Sequence, residues 1–359
     1  MHPTAAGAEA ERAAGERRML TDKENPMSLI VVLDSNIWLG EQMLRHSAGS
    51  AVRFFLRANG AQVAVPEVVR REVTHHLSQS LKNLSLGMRE SYDRLLRMVG
   101  SLKELVLPSD GELDAFALSA FENARIDAID VPFTLESARA SLEKCLLGEP
   151  PSGPKDQQFK DGVLWADCLR LAAEHPVLLV TADKGFYRGR DYDQGLAENL
   201  LAEARATAYG ITVVHKLSLV LETIHVDVTV DYERLGAQLL QIGQPRINDW
   251  IGQHGFVVSR LAAGEHKLFA TDDPAWAYLE FALTFGCVHP DGRKGTLVAR
   301  GEARYSPATG TAKDLQSRGE DFEFDDSEGR RKAMRAVVGA GSIVLGHRTV
   351  QHDLKVPLT

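Results

Sequence analysis

The most regular feature of the chain is a short apolar run that stops at a carboxylate. Ile30-Val31-Val32-Leu33 runs straight into Asp34. Such a run, bounded by polar residues, predicts a strand buried on both faces, as strands of parallel sheets are. A second run, residues 61–65, follows the Asn59-Gly60 turn signal and is closed by Pro66. Val177-Leu178-Leu179-Val180 is a third, leading through Thr181-Ala182 to Asp183, and Ile211-Thr212-Val213-Val214 is a fourth. Between them the period becomes helical. Helices are predicted over about residues 49–58, from Glu67 onward, and over 111–124, 135–147, 161–174, 195–208 and 217–224. Pro66 suits the first helical position there. From His75 to about residue 105 the pattern sets Leu77, Leu81, Leu84, Met88, Leu95 and Met98 near one face. Residues 148–155, rich in Gly and Pro, form a loop.

Apolar strands alternating with helices predict an α/β unit with a central parallel sheet, over residues 28–224. Beyond 225 the texture changes. Val226-Asp227-Val228-Thr229-Val230-Asp231 alternates strictly, the pattern of a half-exposed strand. Residues 281–288, 296–305 and 343–345 also read as strands, and Asp291-Gly292 and Ala308-Thr309-Gly310 as turns. Residues 225–359 are therefore expected to be a separate, smaller α+β or mainly β domain of unassigned role. Residues 1–27, rich in Ala, Glu and Arg with no apolar signal core, read as a disordered or flexible tail. Met27 is a candidate native start.

Composition narrows the classes. At 359 residues the chain exceeds what one ordinary core organises. A net charge of −8 argues against a wholly basic nucleic-acid coat, though not against a local basic groove. Cys145, Cys168 and Cys287 are few, scattered and odd in number, which argues against a disulfide framework and structural zinc and for a reducing, cytoplasmic setting. No apolar run approaches the ~20 residues that span a bilayer.

The candidate chemistry lies in the carboxylates. Asp34 and Asp183 follow apolar strands, Asp161 opens a predicted helix, and Glu72 sits inside another near its start. In a parallel sheet these positions can reach one end, the end where open α/β sheets keep their ligands. Carboxylates held together repel unless a cation sits among them. Oxygen-only ligands suit Mg²⁺ or Mn²⁺. Such a centre can polarise a phosphoryl oxygen and lower the pKa of a bound water, and phosphodiester hydrolysis uses that equipment best. Each residue alone has a plainer reading: Asp161 as a helix N-cap, Asp34 and Asp183 as loop residues, Glu72 as a solvated helix residue. Glu67 reads as the acid that complements a helix N-terminus, and it is the substitute should Glu72 face elsewhere.

The segments Val32-Leu33-Asp34-Ser35-Asn36-Ile37, Pro66-Glu67-Val68-Val69-Arg70-Arg71-Glu72-Val73, Lys160-Asp161-Gly162-Val163-Leu164-Trp165-Ala166 and Val180-Thr181-Ala182-Asp183-Lys184-Gly185-Phe186 resemble the motifs of the PIN domain family, in that family's order. The closest variant carries a long helical insertion, here about residues 75–155. The resemblance implies an α/β/α sandwich and a Mg²⁺- or Mn²⁺-dependent ribonuclease. It implies Asp34, Glu72, Asp161 and Asp183 as the acidic quartet, with Asn36 and Thr181 supporting it. It also implies single-stranded RNA as the substrate, and a toxin or phage-defence role rests on it alone. A homo-oligomer, or a regulatory partner acting through the C-terminal domain, is compatible with this reading; a membrane partner is not.

Lys155, Lys160, Lys184, Arg188 and Arg190 flank the acids and are candidates to hold phosphates, or else solvated surface charges. Phe186 and Tyr187 are candidates to stack on a base, with Phe186 weighted towards the core. Trp38 and Trp165 read as core. His75 and His76 point about 100° apart on a helix, which argues against a shared ion. The alternatives are a DNA nuclease, a phosphatase of the haloacid dehalogenase type (weakened by Asn36 where that chemistry needs an acid), and a catalytically silent PIN-like nucleic-acid-binding or scaffold protein.

Overall fold

The computed structural model describes residues 28–40, 44, 46–125, 128–339 and 342–349. The expectations for residues 1–27, including a start at Met27, lie outside them. In chain order the elements are β1 (Ile30–Leu33), α1 (Ser35–Gly40), α2 (His46–Asn59), β2 (Gln62–Pro66), α3 (Glu67–Val99), α4 (Asp110–Ala124), β3 (Ile129–Val131), α5 (Leu135–Leu147), α6 (Phe159–Leu171), β4 (Val177–Val180), α7 (Glu198–Ala206), β5 (Ile211–Val214), α8 (Leu217–Val220), α9 (Tyr232–Gly252), β6 (Val257–Ala270), β7 (Ala277–Val288), β8 (Lys294–Ser306), β9 (Thr311–Asp325), β10 (Arg331–Gly339) and β11 (Ser342–Thr349).

The first unit is the expected parallel α/β sheet, with strand order β3-β2-β1-β4-β5. Every pairing is parallel: Val31 lies opposite Val63 and Leu178, and Val180 opposite Val214. β1 is buried along its whole length. The chain moves outward from β1 to β2 to β3, then crosses back to lay β4 on the other side of β1. The order therefore reverses between β1 and β4, the kind of switch point at whose carboxyl side open α/β sheets keep their ligands.

The segment expected to be a helical insertion is more than that. It contributes the edge strand β3, and Ala64 to Pro66 pair with Ile129 to Val131. α3 runs to Val99 and ends at Gly100, which takes the left-handed conformation and donates its N–H to Leu96 O at 2.8 Å. The expected apolar stripe is buried only at its start. Leu77 packs on the core, whereas Leu84, Met88, Leu95 and Met98 are exposed. A helix of this length spans ~50 Å, well beyond strands of four or five residues that span ~17 Å, so its far half has no sheet to cover.

The second unit is an antiparallel meander in the order β11-β10-β9-β8-β7-β6, with α9 against it. Its core gathers Leu235, Leu239, Trp250 and Ile251 of α9 with Phe256, Phe281, Phe285 and Phe322. The α+β expectation holds, with one correction: residues 226–231 are not a strand. Val226 N donates to Leu268 O, but the ladder stops there. The His266 Nε2 atom lies 2.9 Å from Val228 O, taking the place of a backbone partner. Asp231 then caps α9 by accepting from Arg234 N at 3.0 Å.

Candidate active site

β1 delivers Asp34, buried, to the carboxyl end of the sheet beside β4, and the first turn of α1 holds it there. Oδ1 of Asp34 accepts from Ser35 N at 2.6 Å and from Ser35 Oγ at 3.3 Å. Oδ2 accepts from Asn36 Nδ2 at 2.7 Å and from Thr181 Oγ1 at 2.6 Å. A carboxylate offers about four lone-pair sites, so Asp34 is fully engaged while Ser35 points at it. Ser35 has one hydroxyl proton and stands 3.1 Å from Glu72 Oε2 as well. When that proton turns to Glu72, one position on Asp34 opens.

Asn36 and Thr181 tie the two strand ends together. Asn36 Oδ1 accepts from Ala182 N at 3.2 Å, and Thr181 Oγ1 accepts from Asp183 N at 3.0 Å while donating to Asp34. Asp183 Oδ1 accepts from Gly185 N at 2.5 Å. A Cβ on Gly185 would stand 2.5 Å from Pro151 O, so the turn behind Asp183 needs glycine. The hydroxyls of Tyr187 and Tyr192 donate to Thr181 O at 3.0 Å and Ala182 O at 2.7 Å, which steadies the backbone on either side. Tyr187 is buried in this role and is not available to stack on a base, contrary to expectation; Phe186, Trp38 and Trp165 are core residues.

Asp161 is the third residue of α6, whose N-cap is Gln158, so the N-cap reading does not hold. α6 reaches the site because Gly162 lets it lie tight on α5. A Cβ there would stand 2.3 Å from Ser141 Oγ, the hydroxyl that donates to Phe159 O at 2.6 Å. Glu72 projects from α3 towards Ser35 and accepts from Lys160 Nζ; His76 Nε2 lies 3.6 Å from it. Glu67 turns away to the loop after β3, where it accepts from Phe133 N at 3.1 Å and pairs with Arg71 at 2.5 Å. The structure thus gathers Asp34, Glu72, Asp161 and Asp183 and leaves Glu67 aside.

The acids feel one another. Burial pushes the Asp161 carboxyl up to about 8, helped by the charges of Asp34, Asp183 and Glu72 and opposed by Lys160. Asp34 is raised too, first by burial, then by Glu72 and Asp183, against hydrogen bonds from Thr181 and Ser35. Carboxyls that burial and like charge raise in this way, as at Asp161 and Asp34, have the donor chemistry of a hard divalent cation. The shell is not closed, however. Among the described residues no group of three or more His, Cys, Asp or Glu side chains is arranged to hold a metal ion.

The basic residues are mostly engaged. Lys160 pairs with Glu72, Arg188 lies 3.6 Å from Glu198, Arg190 lies 3.5 Å from Asp156, and Lys184 lies 5.3 Å above the Tyr192 ring. Lys155 is exposed. Sequence reasoning missed Ser35 and Tyr192. A hydroxyl next to a strand-end acid was the available signal for Ser35; the Tyr192 tether has none in the sequence.

An open parallel α/β sheet with carboxylates gathered at its switch point defines a class of site before it defines a family. The family follows from comparison: residues 31–186 match the model of the PIN domain, and this part of the chain is a PIN domain. PIN domains are generally nucleases and typically bind divalent metal. No curated protein and no solved structure matches the chain. Among the described residues no helix is long and apolar enough to cross a membrane.

Proposed function

We propose that the PIN domain is a divalent-metal-dependent endonuclease cleaving single-stranded RNA, with Asp34, Asp161 and Asp183 as metal ligands and Glu72 completing the site or orienting water. What supports this reading is that the Asp161 carboxyl is held up to about 8 by burial and by the charges of Asp34, Asp183 and Glu72, while Ser35 stands within reach of both Asp34 and Glu72. A bound Mg²⁺ or Mn²⁺ would neutralise that charge, polarise a phosphoryl oxygen and make water a better nucleophile. The chain's own part is positioning. Asn36 and Thr181 fix Asp34 and Asp183 across the two strand ends, and Ser35 divides its proton between Asp34 and Glu72. Lys160 balances Glu72 and stands ready for a phosphate once a cation takes over that task. Lys155, Lys184, Arg188 and Arg190 serve as outlying phosphate contacts. A toxin or defence role, and a regulatory or oligomerising role for the second unit, are extensions of the same proposal.

The test is cleavage of end-labelled single-stranded RNA and DNA in Mg²⁺, Mn²⁺ or EDTA, by the wild type and Asp34→Asn. Metal-dependent cleavage should fall by on the order of 10³-fold in the variant, equivalent to ~4 kcal/mol of transition-state stabilisation. An unchanged circular dichroism spectrum would show that the fold is kept. Full activity in the variant would sink the assignment, and preference for DNA would correct the substrate.

A further inference from the structure

Beside the acidic cluster lies a pocket of about 340 Å³, lined by α3 from Glu67 to His76, by Phe133 and by Lys160. Its floor is one face of α3, because positions 68, 71, 72, 75 and 76 recur at helical spacing. Phe133, in the loop between β3 and α5, and Lys160 of α6 supply the other walls. The volume sits at the small end of the ~300–1,000 Å³ typical of ligand pockets. Glu72 and Lys160 belong to the pocket and the acidic cluster at once, so an occupant would adjoin whatever lies at the carboxylates.

The walls have the chemistry of a stacking site. Phe133 shows 46% of its surface to solvent, and the His75 and His76 rings are also exposed. An exposed aromatic ring is ordinary by itself; here the backbone that carries it is pinned in place. Its backbone N–H donates to Glu67 Oε2 at 3.1 Å, and the next residue, Thr134, caps α5 by accepting from Ser137 N at 3.0 Å. The loop that carries Phe133 is therefore held before any ligand arrives, which lowers the entropy cost of ordering it on binding. Lys160 and Arg71 at the rim are paired with Glu72 and Glu67, and a backbone phosphate would compete with those carboxylates for them.

We propose that this pocket seats one unpaired base of the nucleic-acid strand, stacked against Phe133 and the imidazoles, next to the phosphate presented to the carboxylates. This deepens the nuclease reading and rests on it. It makes single-strandedness a requirement of the site itself, because a paired and stacked base cannot enter. It also makes recognition at this position tolerant of base identity, because every base has a π-face.

The test measures binding of a fluorescent single-stranded oligonucleotide, in Mg²⁺, to full-length Asp34→Asn protein and to the same protein carrying Phe133→Ala or Phe133→Trp. A single abasic residue is walked along the oligonucleotide. The parent should lose at least about 5-fold in affinity at one abasic position. Phe133→Ala should bind the intact strand as weakly as the parent binds that abasic strand, and be indifferent to the lesion. Phe133→Trp should behave as the parent does. If Phe133→Ala binds like the parent, or keeps the same abasic sensitivity, the pocket does not seat a base. Unimpaired cleavage by otherwise wild-type protein carrying Phe133→Ala would overturn the pocket and leave the nuclease standing; absence of cleavage by the wild type would overturn both.

Discussion

The two sheets treat their carboxylates in opposite ways. In the antiparallel unit the partly buried acids are matched across strands. Asp321 sits between Arg300 and Arg335, and despite a burial that works against it these partners hold its carboxyl below the ordinary range. Arg331 likewise reaches Glu323 and Asp325, and Arg318 reaches Glu302. In the parallel unit Asp34 and Asp183, at strand ends, and Asp161, on α6, act on one another, and Lys160, the cation that opposes them at Asp161, is spent on Glu72. The antiparallel sheet sets these acids against arginines on neighbouring strands. The parallel unit sets its acids against one another, and unbalanced buried charge marks function more often than architecture.

The largest expected effect tests that contrast directly. Asp161 has a folded value near 8 against 3.8 for the free side chain. The native state therefore keeps a proton that the unfolded chain has lost, and stability falls as pH rises from about 4 to about 8. Asp161→Asn removes that fall. Urea unfolding should show the variant roughly 2–4 kcal/mol more stable than wild type at pH 8.5 and close to it at pH 4. Mg²⁺ or Mn²⁺ should narrow the gap at high pH by stabilising the wild type alone, and its binding near pH 7 should release protons. Parallel pH profiles for the two proteins would mean that the four acids do not share one field.

The mirror experiment is smaller and opposite in sign. Asp321 is depressed, so its contribution is present above the ordinary carboxylate value and lost as pH falls through the lowered one. Its arginine partners are half exposed or more, so solvent screens the pairs. Asp321→Asn should cost about 1 kcal/mol at pH 7, with the difference from wild type closing in acid. A variant that gains stability at pH 7 would remove the distinction between the two sheets.

The same contrast explains what could be read from the sequence. β1, β2, β4 and β5 are short apolar runs between turn residues, because both their faces are buried; they stand out without knowledge of their partners. The acids at their ends stand out with them. β9 does not, because its Thr311–Asp325 sequence is polar apart from Ala312 and Leu315 until Phe322 and Phe324, and its place is set by pairing with β8 and β10. β6 carries irregularities at Val258/Arg260 and Leu261/Ala263 that break the period of two. α9 hides behind Gly236, Gly243 and Pro245, which read as helix breakers. β3 is three residues long and is followed by Pro132. The segment 226–231 failed the other way: it has strand-like alternation, yet a histidine side chain occupies Val228 O and Asp231 opens a helix. At the site, residue type and order were legible. The coupling of Lys160 to Glu72, and the pocket closed by Phe133, depend on α3, α6 and the β3–α5 loop meeting in space.

The smallest effect concerns the seam between the sheets. Asp272, just beyond β6, pairs with Arg53 at 3.3 Å and with Arg57, both on α2, and its N–H reaches Ser50 Oγ at 3.3 Å. Beneath this clasp Phe269 and Tyr278 stack with ring centres 5.9 Å apart and are fully buried within the first unit's core. Arg57 is exposed and Arg53 partly so, and solvent screens both pairs, so the ion pairs contribute under ~1 kcal/mol, whereas a buried aromatic ring contributes several times that. Asp272→Ala should therefore lower the melting temperature by no more than about 3 °C, and 1 M NaCl should erase most of that difference by screening the wild-type pairs. The transition should stay single, because the aromatic seam still couples the sheets. Two resolved transitions in Asp272→Ala would mean that the charged clasp, rather than the shared core, joins the acid-rich sheet to the charge-matched one.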